Sequence, residues 1–178
     1  MDEPNKPQLV KKAVFAGGCF WCVEAAFEKL SGVVEVLSGY TGGKTANPTY
    51  EQVATGTTSH YEAIQISYDP QQVTYQQLLE RFWKNIDPFD NYGQFVDKGS
   101  QYETAIFYGD EHERQLAEQS KQQLQKKFSK TIATKILPLK SFYPAEEYHQ
   151  DFYKNRPAQY QGYEQGSGRR QRLKQIWG

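Results

Sequence analysis

Cysteine is scarce in this chain: two among 178 residues, Cys19 and Cys22, too few for a secreted disulfide scaffold. Net charge is missing as well, because 21 basic and 21 acidic side chains cancel and leave no global field to hold a phosphate backbone or an anionic membrane. Neither nucleic acid nor membrane is expected as a partner. No run approaches the roughly 18–20 apolar residues of a membrane span, and Met1-Asp2-Glu3-Pro4-Asn5-Lys6-Pro7 has no apolar stretch of the signal-peptide kind. A cytoplasmic location is the expectation; the alternative is an exported form whose signal has been removed. The three histidines, His60, His112 and His149, include no pair at the close spacing of a zinc site, so no metal is expected. Ser38-Gly39-Tyr40-Thr41-Gly42-Gly43-Lys44-Thr45 falls short of a phosphate-binding loop, with Ser38 where the first glycine belongs.

Aromatic residues, by contrast, make up 15% of the chain, with 13 Tyr, 10 Phe and 3 Trp, and much of the buried area must come from rings. Rings that carry O–H or N–H groups also make good pocket walls. The length suits one domain. We read a loose, polar N-terminal arm over 1–11, a folded domain over 12–155 and a Gly-containing basic C-terminal tail over 156–178 that packs on it. A monomer is expected.

A short apolar run over 13–16 ends in Gly17-Gly18, and Val23, Ala26, Phe27 and Leu30 then recur at helical spacing: strand, glycine turn, helix. Residues 33–40 read as a second strand, 49–55 as a short helix, 63–68 as a strand, and Thr74 opens a helix carrying Leu78, Leu79, Phe82 and Trp83. Residues 87–102 hold too many Asp, Gly and Asn for regular structure and read as a long, functional loop. A strand over 104–108, a charged amphipathic helix over 110–128, a strand over 133–139 and a helix over 145–153 follow. The alternation, with connections too short for a doubly wound parallel sheet, predicts an α+β fold: a mixed β-sheet with helices packed against it.

Cys19 stands where the first strand has ended and a helix begins. Unpaired N–H groups and the helix dipole favour a thiolate there, and lowering an ordinary thiol to a pKa of ~7 takes only about 2 kcal/mol. Cys22, three residues on, shares its helix face. That geometry permits a reversible disulfide without requiring one, so resolving and packing roles both stand.

Gly18-Cys19-Phe20-Trp21-Cys22 followed by Val-Glu-Ala-Ala-Phe resembles the signature of the methionine sulfoxide reductase A family. The likeness continues through Ser38 to Gly43, Asn47-Pro48-Thr49-Tyr50-Glu51-Gln52-Val53, His60-Tyr61-Glu62-Ala63, Tyr68-Asp69-Pro70, Asp97 to Tyr102 and Phe142-Tyr143-Pro144-Ala145-Glu146. It spans roughly 12–155, and several separated motifs in order are far more specific than one. The resemblance implies a ferredoxin-like core, thiol-dependent reduction of the S epimer of methionine sulfoxide in peptides, proteins or free form, and protein repair under oxidative stress. It implies Cys19 as nucleophile passing through a sulfenic acid, Phe20 and Trp21 walling an apolar pocket for the substrate methyl, Glu62, Tyr50 and Tyr102 around the sulfoxide oxygen, and Asp97 holding the rest of the residue. No bound cofactor is expected; an external thiol, thioredoxin or a dithiol such as dithiothreitol, is the implied reductant.

A sulfoxide oxygen leaves badly as an anion, so an acid must protonate it, and Glu62 among rings should have a raised pKa. Many family members regenerate through cysteines in a glycine-rich tail; here Gly166-Ser167-Gly168-Arg169-Arg170 onward has none, leaving Cys22 or an external thiol. Three other classes stand beside this reading. A general thiol–disulfide oxidoreductase would use Cys19 and Cys22 as a dithiol, a thiol hydrolase would pair Cys19 with His60 or His149, and a non-catalytic module would bind oxidised peptides in an aromatic groove.

Overall fold

The computed structural model describes residues 9–178, so residues 1–8 of the expected arm lie outside the described residues. In chain order the elements are β1 (Lys11–Gly17), α1 (Phe20–Glu28), β2 (Val33–Thr41), α2 (Tyr50–Ala54), β3 (Tyr61–Tyr68), α3 (Tyr75–Lys84), β4 (Gly93–Gln94), β5 (Asp97–Lys98), β6 (Thr104–Tyr108), α4 (Glu111–Gln125), β7 (Lys135–Pro138), β8 (Phe142–Pro144), α5 (Phe152–Asn155), α6 (Pro157–Gly166) and α7 (Arg169–Trp177). Six strands form one sheet in the order β7-β6-β1-β3-β2-β8, and β4 and β5 form a separate two-residue hairpin. The central strands β6-β1-β3-β2 are antiparallel neighbours. With α1 and α3 as crossovers they make a β-α-β-β-α-β ferredoxin-like core in a single α+β domain, extended by a parallel β7 and an antiparallel β8.

Strand periodicity places the core. Ile64 and Ile66 of β3 face the helix-covered side with Phe15 of β1 and Ile106 of β6, while Tyr61 and Ala63 face the other side with Phe107. Glu62 shares the face of Ile64, so a carboxyl enters the apolar layer at the end of a strand. Under the sheet, Phe15 lies 5.0 Å from Phe82 and 5.9 Å from Phe27, ring centre to ring centre. Leu78, Leu79 and Phe82 are the apolar stripe of α3, each essentially fully buried and each worth roughly 1.5–3 kcal/mol. Thr49 and Thr74 open α2 and α3 with reciprocal capping boxes to Gln52 and Gln77.

Two stretches differ from the sequence expectation. Residues 145–153 are not one helix: β8 precedes them, a single 3-10 turn covers Glu147–His149, and Asp151 sits at φ +51 before α5. Tertiary hydrogen bonds account for the break. The Gln150 side chain pairs with both Ser38 N and Ser38 O (2.9 and 2.8 Å), and Asp151 N–H donates to buried Glu24 Oε1 at 2.9 Å. Residues 87–102 are also more ordered than a plain loop, folding into the β4–β5 hairpin and a 3-10 turn at Ser100–Tyr102.

The C-terminal tail is helical and docks on the segment before that hairpin. Arg172 pairs with Asp87 at 2.7 Å, Trp177 Nε1 donates to Ile86 O at 3.2 Å, and Arg169 reaches Asn85 O at 2.6 Å. Pro157 opens α6 at a position where a missing N–H costs nothing. No helix among the described residues is long and apolar enough to cross a membrane.

Candidate active site

The turn that presents Cys19 depends on Gly18, whose φ of +84° suits glycine and whose missing side chain leaves room for the hairpin. A Cβ there would stand 2.7 Å from Gln94 Cβ. Gln94 is itself fixed, with its side-chain amide bonded to Asp87 N and Asp87 O at 2.8 and 2.7 Å. Cys19 is the residue just before α1, and Cys22 lies in the first turn, both buried as free thiols.

Every residue that the family resemblance assigned to catalysis or substrate reaches one place. Cys19, Phe20, Trp21 and Glu62 meet Tyr50, Asp97 and Tyr102 around a cavity of about 230 Å³; Cys22 does not line it. These four aromatic side chains come from three distant segments: Phe20 and Trp21 from α1, Tyr50 as the first residue of α2, and Tyr102 from the 3-10 turn after β5. Tyr163 of α6 completes the wall, its hydroxyl donating to Asp97 Oδ2. Nothing in the sequence singled Tyr163 out, because its role depends on where the tail helix docks.

Glu62 is 2% exposed, and burial pushes its carboxyl up to about 8, opposed by a hydrogen bond from Phe20 N–H to Oε1 at 3.2 Å. Burial likewise raises Tyr50 to about 12 and raises Tyr102 further, so both phenols remain protonated donors at neutral pH. The cavity therefore offers a neutral carboxylic acid and two hydroxyl donors around one point, a donor set suited to an oxygen that gains negative charge.

The cysteines divide differently from the sequence expectation of a thiolate on Cys19. Burial pushes the Cys19 thiol up, and the first helical N–H, at Phe20, is spent on Glu62 rather than left for sulfur. Cys22 is the acidic partner, lowered to about 7 by a hydrogen bond from Cys19 and by the Arg169 guanidinium. Near neutral pH the pair thus shares a proton between two sulfurs.

Trp21 is held on three sides. It stacks on Phe152 at 3.8 Å, meets Tyr163 edge-on at 5.7 Å, and donates from Nε1 to His149 Nδ1 at 3.1 Å. An accepting Nδ1 fixes His149 as the neutral Nε2–H tautomer, and burial keeps its pKa low. His60 is equally committed, accepting Gly43 N–H at Nδ1 and lying 2.7 Å from Thr45 O at Nε2. Neither histidine lines the cavity, which leaves the thiol-hydrolase reading without a base. Glu24, missed from the sequence, is wholly buried with its carboxyl raised to about 7 by burial, and it ties α1 to Ser38 Oγ (3.0 Å) and to the Asp151 turn.

Comparison with known proteins identifies the family. A family model described as peptide methionine sulfoxide reductase matches residues 11–178. A peptide methionine sulfoxide reductase MsrA from Bacillus licheniformis is 53% identical over 168 residues, 93% of each chain. One from Halalkalibacterium halodurans is 52% identical over 95% of this chain and 97% of its own. Among solved structures, Mxr1 from Saccharomyces cerevisiae in reduced form superposes with a TM-score of 0.80 at 32% identity, covering 85% of this chain and 88% of its own. Mxr1 in complex with Trx2 gives a TM-score of 0.59 at 25% identity, over 84% and 89%.

Proposed function

Because this chain belongs to the peptide methionine sulfoxide reductase family and reduces methionine sulfoxide at the expense of a thiol, we propose that Cys19 is the group oxidised and Glu62 the acid that makes the oxygen leave. The observation that carries the assignment is the placement of a buried carboxyl with a pKa of about 8 in the same 230 Å³ cavity as Cys19. Cys19 Sγ attacks the sulfoxide and passes its proton to Cys22. Glu62 protonates the oxygen while Tyr50 and Tyr102 donate hydrogen bonds to it. The substrate S–O bond breaks as the protonated oxygen passes to Cys19 Sγ, methionine leaves and Cys19 becomes a sulfenic acid, so two electrons pass from the cysteine to the substrate.

Phe20 and Trp21 wall the methyl side of the substrate and Asp97, held by Tyr163, the side of the main chain; the S epimer as the form accepted is what the resemblance to the A-type reductases implies. Cys22 then attacks the sulfenic acid, releasing water and joining Cys19 to Cys22. These are the chain's only cysteines, so no other internal disulfide is available. Two external thiols, those of thioredoxin or a small dithiol, restore the pair; the complex of the structural relative Mxr1 with Trx2 supports a thioredoxin. Oxidised peptides and proteins are the substrates, and repair is the role. The test mixes reduced protein, without reductant, with a peptide bearing one methionine sulfoxide and weighs both. The peptide is expected to lose one oxygen as the protein loses both thiols; an unchanged peptide refutes the assignment.

A further inference from the structure

The two sulfurs open on different cavities. Cys19 faces the substrate cavity, whereas Cys22 lines a second space of about 520 Å³ between α1, α6 and α7, and neither cavity is lined by both. The second cavity is cationic. Lys29, Arg169 and Arg170 stand on its walls against one carboxylate, Glu164, which Arg170 already pairs at 3.0 Å.

Arg169 is the unusual member. It is 6% exposed, yet among the described residues its guanidinium is held by neutral partners: Gly17 O at 3.0 Å, Asn85 O at 2.6 Å and the face of Phe95 at 4.5 Å. A buried guanidinium with no carboxylate partner is costly unless an anion comes to meet it. In the reduced protein Cys22, which lines the same cavity and whose thiol Arg169 helps to lower, can supply that anion. Once Cys22 enters a disulfide the charge is gone, and Arg169 is left facing a cavity large enough for a small molecule.

We propose that the external thiolate that regenerates the enzyme enters this cavity and attacks Cys22 Sγ, with Arg169 receiving its charge. The proposal rests on the reading above that Cys19 and Cys22 form a disulfide. The attacking sulfur bonds to Cys22, the Cys19–Cys22 bond breaks, and its electron pair leaves on Cys19, which takes up a proton. A second thiolate then releases Cys22 and leaves with the first as a disulfide, so two thiols are oxidised for each sulfoxide reduced. Attack from the other side would bring a thiolate past Asp97 and Glu62 into the smaller cavity. Leaving-group acidity alone favours cleavage in that opposite sense, since Cys22 is the more acidic thiol; access and charge oppose it. The ligand class is accordingly a thiol, with preference for one carrying a further negative charge.

The experiment oxidises wild-type protein with one equivalent of sulfoxide peptide, checks by mass for the disulfide, adds a thioredoxin with a single active-site cysteine, quenches with acid and maps the adduct by fragmentation. The adduct is expected on Cys22, and an adduct on Cys19 overturns the proposal. If no disulfide is present before the thiol is added, the resolving role of Cys22 fails first and takes this inference with it. A second arm compares mercaptopropionate with mercaptoethanol. Lys29→Ala and Arg170→Ala are each expected to slow reduction by mercaptopropionate roughly three- to tenfold more than by mercaptoethanol; equal slowing overturns the cationic selection.

Discussion

Replacing Glu62 by glutamine keeps the shape of the carboxyl and its acceptor for Phe20 N–H but removes the proton and the capacity to ionise. With a pKa of about 8, wild-type Glu62 is about nine-tenths protonated at pH 7 and about one-tenth at pH 9. Single-turnover reduction, followed by rapid quench and separation of the peptides, should therefore show a limb falling above pH 8. The Glu62→Gln substitution should flatten that limb and slow the step by roughly 10² to 10⁴ at pH 7, with sulfoxide binding nearly intact. The same carboxyl makes a second, independent mark. Its folded-state pKa is raised above the ordinary 4.5, so the native state holds a proton that the unfolded chain releases, and stability is lost as pH rises from about 4.5 towards 8. Between pH 5 and 7 that loss amounts to at most about 2–3 kcal/mol. Urea unfolding of both proteins across this range isolates it, because the other titrating groups, Glu24 among them, are common to both. The variant should gain on wild type as pH rises. A variant that reduces sulfoxide at the wild-type rate, with its alkaline limb in place, would show that another group is the acid; a stability difference independent of pH would show that the carboxyl is not held neutral.

Cys19→Ser should fold and bind sulfoxide yet lose reduction to below a few per cent, an alcohol being a far weaker nucleophile at neutral pH; retained turnover in the peptide mass assay would refute the nucleophile. Cys22→Ser should still yield one methionine per enzyme in single turnover, but with a sulfenic acid on Cys19 trappable by dimedone where wild type loses both thiols; a Cys22 thiol that persists in oxidised wild type would make it a packing residue. Gly18→Ala meets both the positive φ and the Gln94 side chain at 2.7 Å, and should cost about 1–3 kcal/mol in denaturant midpoint while depressing kcat, because the turn that aims Cys19 shifts. An unaltered midpoint would show that the turn relaxes freely.

Local signals were enough for much of this molecule. Glycine before cysteine before an apolar helical period marks the turn at 17–19, and the apolar runs of β1 and β3 and the stripe of α3 state their structure through periodicity alone. The ordered motifs likewise identify the family, and the resemblance names Cys19, Phe20, Trp21, Tyr50, Glu62, Asp97 and Tyr102, which the fold brings to one cavity. Residues whose roles depend on segments far away in the chain were not legible. Gln150 and Asp151 leave the helical path because Ser38 and Glu24, more than a hundred residues earlier, supply better hydrogen bonds than the next helical turn would. Tyr163 and Arg169 belong to a tail whose composition says only that it is polar and basic; docking on 85–87 turns one into a wall of the cavity beside Cys19 and brings the other's charge to Cys22. The acidity of the two sulfurs was decided in the same way. Sequence position favours the thiolate on Cys19, but burial, the Phe20 N–H spent on Glu62 and an arginine from the far end of the chain transfer it to Cys22, since burial and charge are properties of the packed molecule and not of the order of its residues.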